Sequence, residues 1–340
     1  MRSVPTLATV AAEAGVSRQT VSNALNSPDL LRPETLERVR AAIDRLGYSP
    51  NRAARNLRTR SSHLIGLRFD PAVEGTASAV MDRFLHTLVE ASKGAGYHVL
   101  LVTADDVNDP LDGYEELLRS AAVDAFIITD TYRGNPQAVW LDEREVPFVA
   151  FGRPWEDPDA PHVWVDVDGR GGVAQAVDHL IEQGHTRIAW VGWHRNSYLG
   201  EDRRNGWLDR MHEHGLSTSR LSARGEDTLS FGRRAALALL ESDNPTAFVC
   251  ASDTLAMGAL AALEELGRPS GPAHSGGVGV VGFDDSLAAQ VVPGGLTSIR
   301  QPLEQAALEI IRLLDLVLGH QIPDQRGVIL SPALVRRRTS

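Results

Sequence analysis

Cysteine is nearly absent from this chain, Cys250 standing alone among 340 residues. A single thiol excludes an internal disulfide and any multi-cysteine metal site. Lysine is as scarce: Lys93 is the one lysine among 34 basic residues, the rest being arginine. Because arginine prevails along the whole chain, this reads as codon bias and marks no site. No apolar run reaches the ~18 residues a membrane helix needs. The first residues alternate polar and small side chains (Ser3, Thr6, Thr9, Glu13) without the apolar core of about 7–15 residues of a signal peptide, so a cytoplasmic location is expected. Also missing are a G-x-x-x-x-G-K-[ST] loop, a G-x-S-x-G elbow and an H-E-x-x-H pair. Gly277–Gly282 fits G-x-G-x-x-G, but its glycines run through a predicted strand instead of following one and opening a helix. His212 and His214 lie on different helix faces and make a poor metal pair, and His179 and His185 read as structural. Nothing calls for catalysis, a metal or a cofactor.

What remains has ordinary globular composition, 43% hydrophobic and 23% charged, in a chain long enough for two or three domains at about 150 residues each. The net charge of −10 conceals a division. Residues 1–60 hold ten arginines against five acids and carry +5, leaving −15 on the remainder. A basic head on an acidic body is the footprint of a nucleic-acid-binding module joined to something that is not one.

In the head, Leu7, Val10, Ala11 and Ala14 share a helical face, with Thr6 at the N-cap and Gly15 at the C-cap. Ser17 opens a second helix that turns Thr20, Val21, Ala24 and Leu25 inward and Arg18, Gln19, Ser22, Asn23 and Asn26 outward. A third helix follows Pro33 and runs from Glu34 to Leu46. Two short helices about a glycine turn, closed by a third, form a helix-turn-helix arrangement. Its outward residues suit a major groove, since Arg pairs with guanine and Gln or Asn with adenine. A three-helix bundle with a solvated polar face would show the same pattern.

The stretches Ala11–Asn26 and Val39–Arg55 closely resemble the N-terminal signature of the LacI/GalR family of bacterial repressors. The resemblance implies that Arg18, Gln19 and Asn23 read bases and that Thr6, Ser17, Thr20, Ser22 and Asn26 hold phosphates of double-stranded operator DNA. It further implies a hinge helix within residues 51–60, with Leu57 wedged into the minor groove and Arg55 and Arg58 beside phosphates. Such a wedge kinks the duplex at a cost of a few kcal/mol per step; the competing reading of Leu57 is a small core contact.

Beyond Arg60 apolar runs alternate with amphipathic stretches. Strands are predicted at His63–Phe69, Tyr97–Thr103, Ala125–Thr129 and Pro147–Phe151, then near Val163–Val165, Arg187–Trp193, Thr246–Ala251 and Val278–Phe283, with helices between. Two successive parallel α/β sheets imply two Rossmann-like lobes with a ligand cleft at their strand ends. This is similar to the periplasmic-binding-protein fold that the family joins to its DNA head, and Phe151–Arg153, Val165–Asp168, Glu182–Ile188, Ala251–Gly258, Val281–Asp285 and Leu296–Pro302 support the match. The expected architecture is therefore an all-α helix-turn-helix head (1–50), a hinge (51–60) and an α/β two-lobed periplasmic-binding-protein-like core (61–340). The chain is expected to cross between lobes near 160, 292 and 322, giving lobes of about 61–160 with 293–321 and about 161–292 with 322–340. A helix at 303–318 should return to the first lobe. No leucine-heptad tail follows Arg338, and two-fold operators ask for two heads, so a homodimer is expected.

Strand-end polar groups mark the effector site: Asp70, Arg153, Asp253 and Asp284. Arg203 lies where relatives place an effector-binding arginine, four residues before Trp207. Carboxylates, a forked cation and indole faces from Trp155, Trp193 or Trp207 suit a sugar. Equally, Asp253 and Asp284 could be helix caps, and each tryptophan a core or rim residue. At Asp227 well-known relatives carry an aromatic, so their particular ligand does not transfer. The resulting expectation is a repressor-type, DNA-binding regulator answering to a small-molecule effector, most simply a sugar. The alternatives are a solute-binding protein that regulates no gene and a regulator answering to a non-sugar such as a nucleobase. An enzyme on this fold would need a nucleophile and base that the sequence does not display.

Overall fold

The computed structural model describes residues 5–48, 61–68, 79–103, 109–120, 122–129, 131–132, 134–155, 157, 159–195, 197–321 and 323–340. It separates into two compact units, 1–62 and 63–340. The expected hinge residues Leu57, Arg55 and Arg58, and the candidate ligand residue Asp70, lie outside the described residues.

The head is three helices, α1 (Leu7–Ala14), α2 (Arg18–Asn26) and α3 (Pro33–Leu46). Thr6 and Thr9 close a reciprocal capping box: Thr9 N–H donates to Thr6 Oγ1 and Thr6 N–H to Thr9 Oγ1. Gly15 ends α1 at φ +65°, a left-handed backbone that glycine adopts without Cβ strain, and this permits the turn into α2 two residues later. Val10, Val21 and Val39, one from each helix, are fully buried and form the small core with Ala42.

The larger unit holds two six-stranded sheets among its described residues. The first is ordered β11-β5-β4-β3-β1-β2, from β1 (Leu64–Arg68), β2 (His98–Val102), β3 (Ala125–Ile128), β4 (Phe148–Phe151), β5 (Val163–Val167) and β11 (Gly327–Leu330). The second is ordered β12-β10-β9-β8-β6-β7, from β6 (Ile188–Trp193), β7 (Ser222–Gly225), β8 (Ala247–Cys250), β9 (Gly279–Phe283), β10 (Thr297–Arg300) and β12 (Ala333–Val335). All recorded pairings are parallel except β10 with β12. Central strands such as β3, β8 and β9 are buried along their whole length, which is why they read as unbroken apolar runs.

Helices cover the sheets. The first lobe carries α4 (Ala79–Gly94), α5 (Tyr114–Arg119), α6 (Pro136–Glu143) and α12 (Leu303–Leu318). α12 occupies the expected residues and buries Leu303, Ala306, Ile310 and Leu314 in the first lobe's core with Phe84 and Leu88 of α4. The second lobe carries α7 (Gly169–Glu182), α8 (Tyr198–Glu213), α9 (Leu229–Ser242), α10 (Asp253–Glu265) and the short α11 (Leu287–Val291).

The crossings lie later in the chain than the sequence suggests. β5 pairs with β4 and β11 and so belongs to the first sheet, while α7, immediately after it, packs in the second lobe's core. β10 pairs with β9 in the second sheet, and the last crossing falls between β11 and β12. The passages are therefore near 168, 301 and 331, not 160, 292 and 322. An apolar run announces a strand but not the sheet it joins; register on its neighbours decides that. β7 (Ser-Ala-Arg-Gly) carries too little apolar signal to be seen, whereas β11 (Gly-Val-Ile-Leu) is apolar but only four residues long.

Candidate DNA-reading face and effector cleft

On α2, Arg18 and Gln19 are exposed and Asn23 is half-buried one turn on. Gln19 Nε2 donates to Asn23 Oδ1 at 3.0 Å, so these two amides are oriented as a pair. The hydroxyls expected at phosphates flank them. Ser17 caps α2 by accepting from Thr20 N–H at 3.1 Å and lies 2.9 Å from the Thr20 hydroxyl, Asn26 Nδ2 donates to Ser22 O at 2.7 Å, and Thr6 caps α1.

In the larger unit a cavity of about 220 Å³ opens at the carboxyl ends of strands from both sheets. Its first-lobe wall includes Thr129, Phe151, Gly152 and Asp166, with Trp155 beyond; its second-lobe wall includes Trp193, Arg203, Asp227, Phe283 and Asp284. Gln301, on the crossing after β10, closes it.

Arg203 is central. It sits on α8, which approaches α7 closely because Gly206 has no side chain: a Cβ there would stand 2.2 Å from Arg170 O. The guanidinium carbon lies 3.6 Å over Phe283 and 4.9 Å from the Trp193 ring. One terminal nitrogen donates to Ala251 O at 2.6 Å, the other lies 3.9 Å from Asp284 Oδ1, and among the described residues the buried Nε has no partner. Burial draws its pKa down, opposed by Asp284 and Asp227.

Asp284 leaves β9 at φ +109°, a strained value for a residue with a Cβ. It accepts from Gln301 Nε2 at 2.8 Å, and burial pushes its carboxyl up to about 7 against the pull of Arg203. Asp227 accepts from the Ser252 hydroxyl, which also caps α10. Among the described residues Trp193 Nε1, like Arg203 Nε, is buried without a partner.

Three candidates are placed elsewhere. Trp207 is fully buried, stacks on Trp190 with centroids 6.4 Å apart, and donates from Nε1 to Ile188 O; it is a core residue one turn beyond Arg203 on the inner face of α8, and it does not line the cleft. Asp253 is buried off the cavity wall, accepting from Ser298 Oγ at 2.6 Å and Ser286 N–H at 2.7 Å; burial raises its carboxyl to about 6. It binds α10 to β10 and to the turn before α11. The caps are Ser252 and Ser286, not Asp253 and Asp284. Arg153 stands behind the wall: Nε donates to Asp166, another nitrogen lies 3.9 Å from Asp202, and the guanidinium covers Trp155 at 4.7 Å. It shapes Asp166 and Trp155 rather than presenting itself. Asp166, Phe283 and Gln301 were not singled out as ligand residues, although each lies within a phrase that carries the family resemblance.

The family profile described as periplasmic binding proteins and sugar binding domain of LacI family matches residues 79–316, and that of bacterial regulatory proteins of the lacI family matches residues 6–51. The chain belongs to the LacI family. It is 35% identical over 341 residues to the HTH-type transcriptional regulator CelR of Thermobifida fusca, covering 98% of this chain and 97% of that protein. Among solved structures, a CelR–cellobiose complex superposes with a TM-score of 0.72 at 30% identity, over 99% of this chain and all of that one. A lac repressor dimer bound to operator and an anti-inducer superposes at 0.79 with 26% identity, over 98% of each chain. As a LacI-family protein it is a DNA-binding transcriptional regulator and not an enzyme, which sets aside the solute-binding reading.

Proposed function

We propose that this LacI-family regulator is a cytoplasmic homodimeric repressor whose operator affinity is set by a sugar in the interlobe cleft. Arg18, Gln19 and Asn23 read bases; Thr6, Ser17, Thr20, Ser22 and Asn26 hold phosphates; Leu57, with Arg55 and Arg58, engages the minor groove. The observation that carries the sugar reading is the convergence on one cavity of Asp227, Asp284 and Arg203, the last stacked on Phe283 and Trp193. Carboxylates accept from vicinal hydroxyls, the Arg203 guanidinium donates to ring and hydroxyl oxygens, and the half-buried Trp193 and Trp155 rings at the cavity wall offer apolar surface to a pyranose. Cellobiose in the CelR complex and operator in the lac repressor dimer support the two halves of this reading. Asp70 is proposed as a further ligand group, with Arg153 and Trp155 acting at the rim.

The mechanism is reciprocal coupling. Sugar bridging the two sheets' strand ends favours one lobe arrangement, which changes the separation of the hinge segments and so their ability to fold on DNA; operator then alters sugar affinity by the same factor. The test is thermal unfolding of the full chain against neutral sugars, nucleosides and sugar phosphates. A ligand at 100 times its Kd adds about 2.7 kcal/mol. A shift with a sugar, followed by weakened operator binding in its presence, is expected; a shift with nucleosides alone overturns the sugar reading, and tighter operator binding overturns release as its effect.

A further inference from the structure

The first crossing between the lobes, near residue 168, is bracketed by side chains from both. On its first-lobe side Asp166 of β5 accepts from Arg153 Nε; on its second-lobe side Asp202 of α8 accepts from Arg170 N–H at 3.1 Å. A terminal nitrogen of the same Arg153 lies 3.9 Å from Asp202 Oδ2, so one guanidinium on the segment after β4 meets a carboxylate of each lobe. These ions are largely withdrawn from water, with 21% of the Arg153 side chain and 11% of the Asp202 side chain exposed, so salt screens them less than a surface pair.

A second contact runs beside the first. Trp155, two residues on from Arg153, stacks on Tyr198, the first residue of α8, with ring centroids 6.4 Å apart and planes inclined by 13°. Tyr198 and Asp202 are one turn apart on the same face of α8, and Ser197 caps that helix by accepting from Gly200 N–H at 3.1 Å, which fixes the turn that carries Tyr198. On the first-lobe side the two contacts are joined, since the Arg153 guanidinium covers the Trp155 ring at 4.7 Å. Guanidinium, indole and phenol thus follow one another from the first lobe into the second. Aromatic pairs are favoured at centroid separations of about 4.5–7 Å, so a lobe rotation that adds a few ångströms here breaks the stack.

We propose that the Arg153–Asp202 and Trp155–Tyr198 contacts act together as a clamp on the first crossing, setting the angle between the lobes before any ligand arrives. Tyr198 and Asp202 are positioning residues in this role: neither lines the cleft, and each holds a residue of the opposite lobe. A ligand then works on an equilibrium that the clamp has already biased, and loosening the clamp changes the cleft's apparent affinity by the factor by which the lobe equilibrium moves. The inference deepens the lobe-coupling reading and is independent of which ligand the cleft takes.

Spin labels on the full chain report the lobe angle. Glu264→Cys on α10 places one label on the second lobe; Lys93→Cys on α4 or, in a separate sample, Glu143→Cys on α6 places the other on the first lobe, the two helices lying against opposite faces of its sheet. All three positions are exposed, and Cys250 is buried and stays unlabelled. Pulsed electron–electron distances are measured with the labelled protein diluted into excess unlabelled chain, without sugar or operator. The parent should give one narrow distance for each pair. Losing an aromatic pair alone shifts such an equilibrium by about two- to tenfold, so Tyr198→Ala combined with Asp202→Asn should add a second distance whose share relative to the first is about tenfold or more above the parent's. Tyr198→Phe, which keeps the ring, should match the parent. Asp202→Asn alone, which keeps the shape of the side chain, should give a smaller shift and supplies the test if the alanine variant does not fold. Unchanged distances in the double variant, or in Asp202→Asn where only that variant folds, overturn the clamp, as does a parent that already spans both distances equally. Because neither ligand nor operator is present, each of these results leaves the sugar and operator readings standing.

Discussion

Arg203 holds its guanidinium carbon 3.6 Å from the centroid of the Phe283 ring, at the end of the central strand β9. A fully hydrated cation would not remain there; the ring face, Ala251 O and Asp284 replace its water. The arrangement makes Arg203 a structural tie in the wall of the cleft.

Arg203→Met should therefore abolish sugar-dependent stabilisation and also lower stability, because Asp284 loses its cation. Breaking a buried pair costs on the order of 3–5 kcal/mol when the remaining charge stays ionised. Since Asp284 takes up a proton near pH 7, the loss measured by urea unfolding should be smaller at pH 6 than at pH 8. Equal losses at both would show that Asp284 does not feel Arg203.

The Asp284 carboxyl itself gives stability a pH slope. Unfolded, it ionises near ~4; folded, burial holds the proton to about 7. The folded protein thus binds the additional proton between these values, so the contribution is complete below about pH 4 and lost as pH rises to 7. Asp284→Asn, which keeps an acceptor for Gln301, should flatten the decline by on the order of 1–3 kcal/mol. An unaltered slope would assign it to other groups.

Asn23→Ala and Gln19→Ala should each relax operator specificity at one base position by about 1–3 kcal/mol. Because Gln19 donates to Asn23 at 3.0 Å, the double variant should depart from additivity by roughly 0.5 kcal/mol or more. Competition binding with single-base operator variants measures this. Losses spread evenly over all sequences would indicate phosphate contacts.

Trp207→Ala should destabilise by about 3–5 kcal/mol through the cavity it leaves, whereas Trp207→Phe, still folded, should bind sugar like the parent. Weakened binding in the folded Phe variant would return Trp207 to the cleft.

The head was legible because helix caps and apolar spacing are local: Thr6, Gly15, Ser17, Pro33 and Gly47 delimit the helices where the sequence places them. α12 was legible because seven of its residues fall on one buried face. What sequence could not resolve is tertiary. Trp207 and Trp193 are both indoles near α8, yet only packing against Trp190 or Arg203 tells core from cleft. Asp253 and Asp284 both follow second-sheet strands, and the Ser298 hydroxyl and Ser286 N–H hold Asp253 off the cavity wall. Sheet membership of β5 likewise rests on its register against β4 and against β11, the latter some 160 residues later.

That last pairing governs how the protein can be made. The first sheet keeps an open edge at β5 until residues 327–330 have left the ribosome, by which time nearly all of the second sheet is already available. Neither lobe is a contiguous stretch of chain, so neither can be excised or completed alone. During synthesis the Val-rich edge of β5 is an unpaired template of the kind that captures other chains. Truncations removing β11 and β12 should accumulate as aggregates instead of as a shortened folded core, and the interlock that joins the two lobes is the same feature that delays their folding.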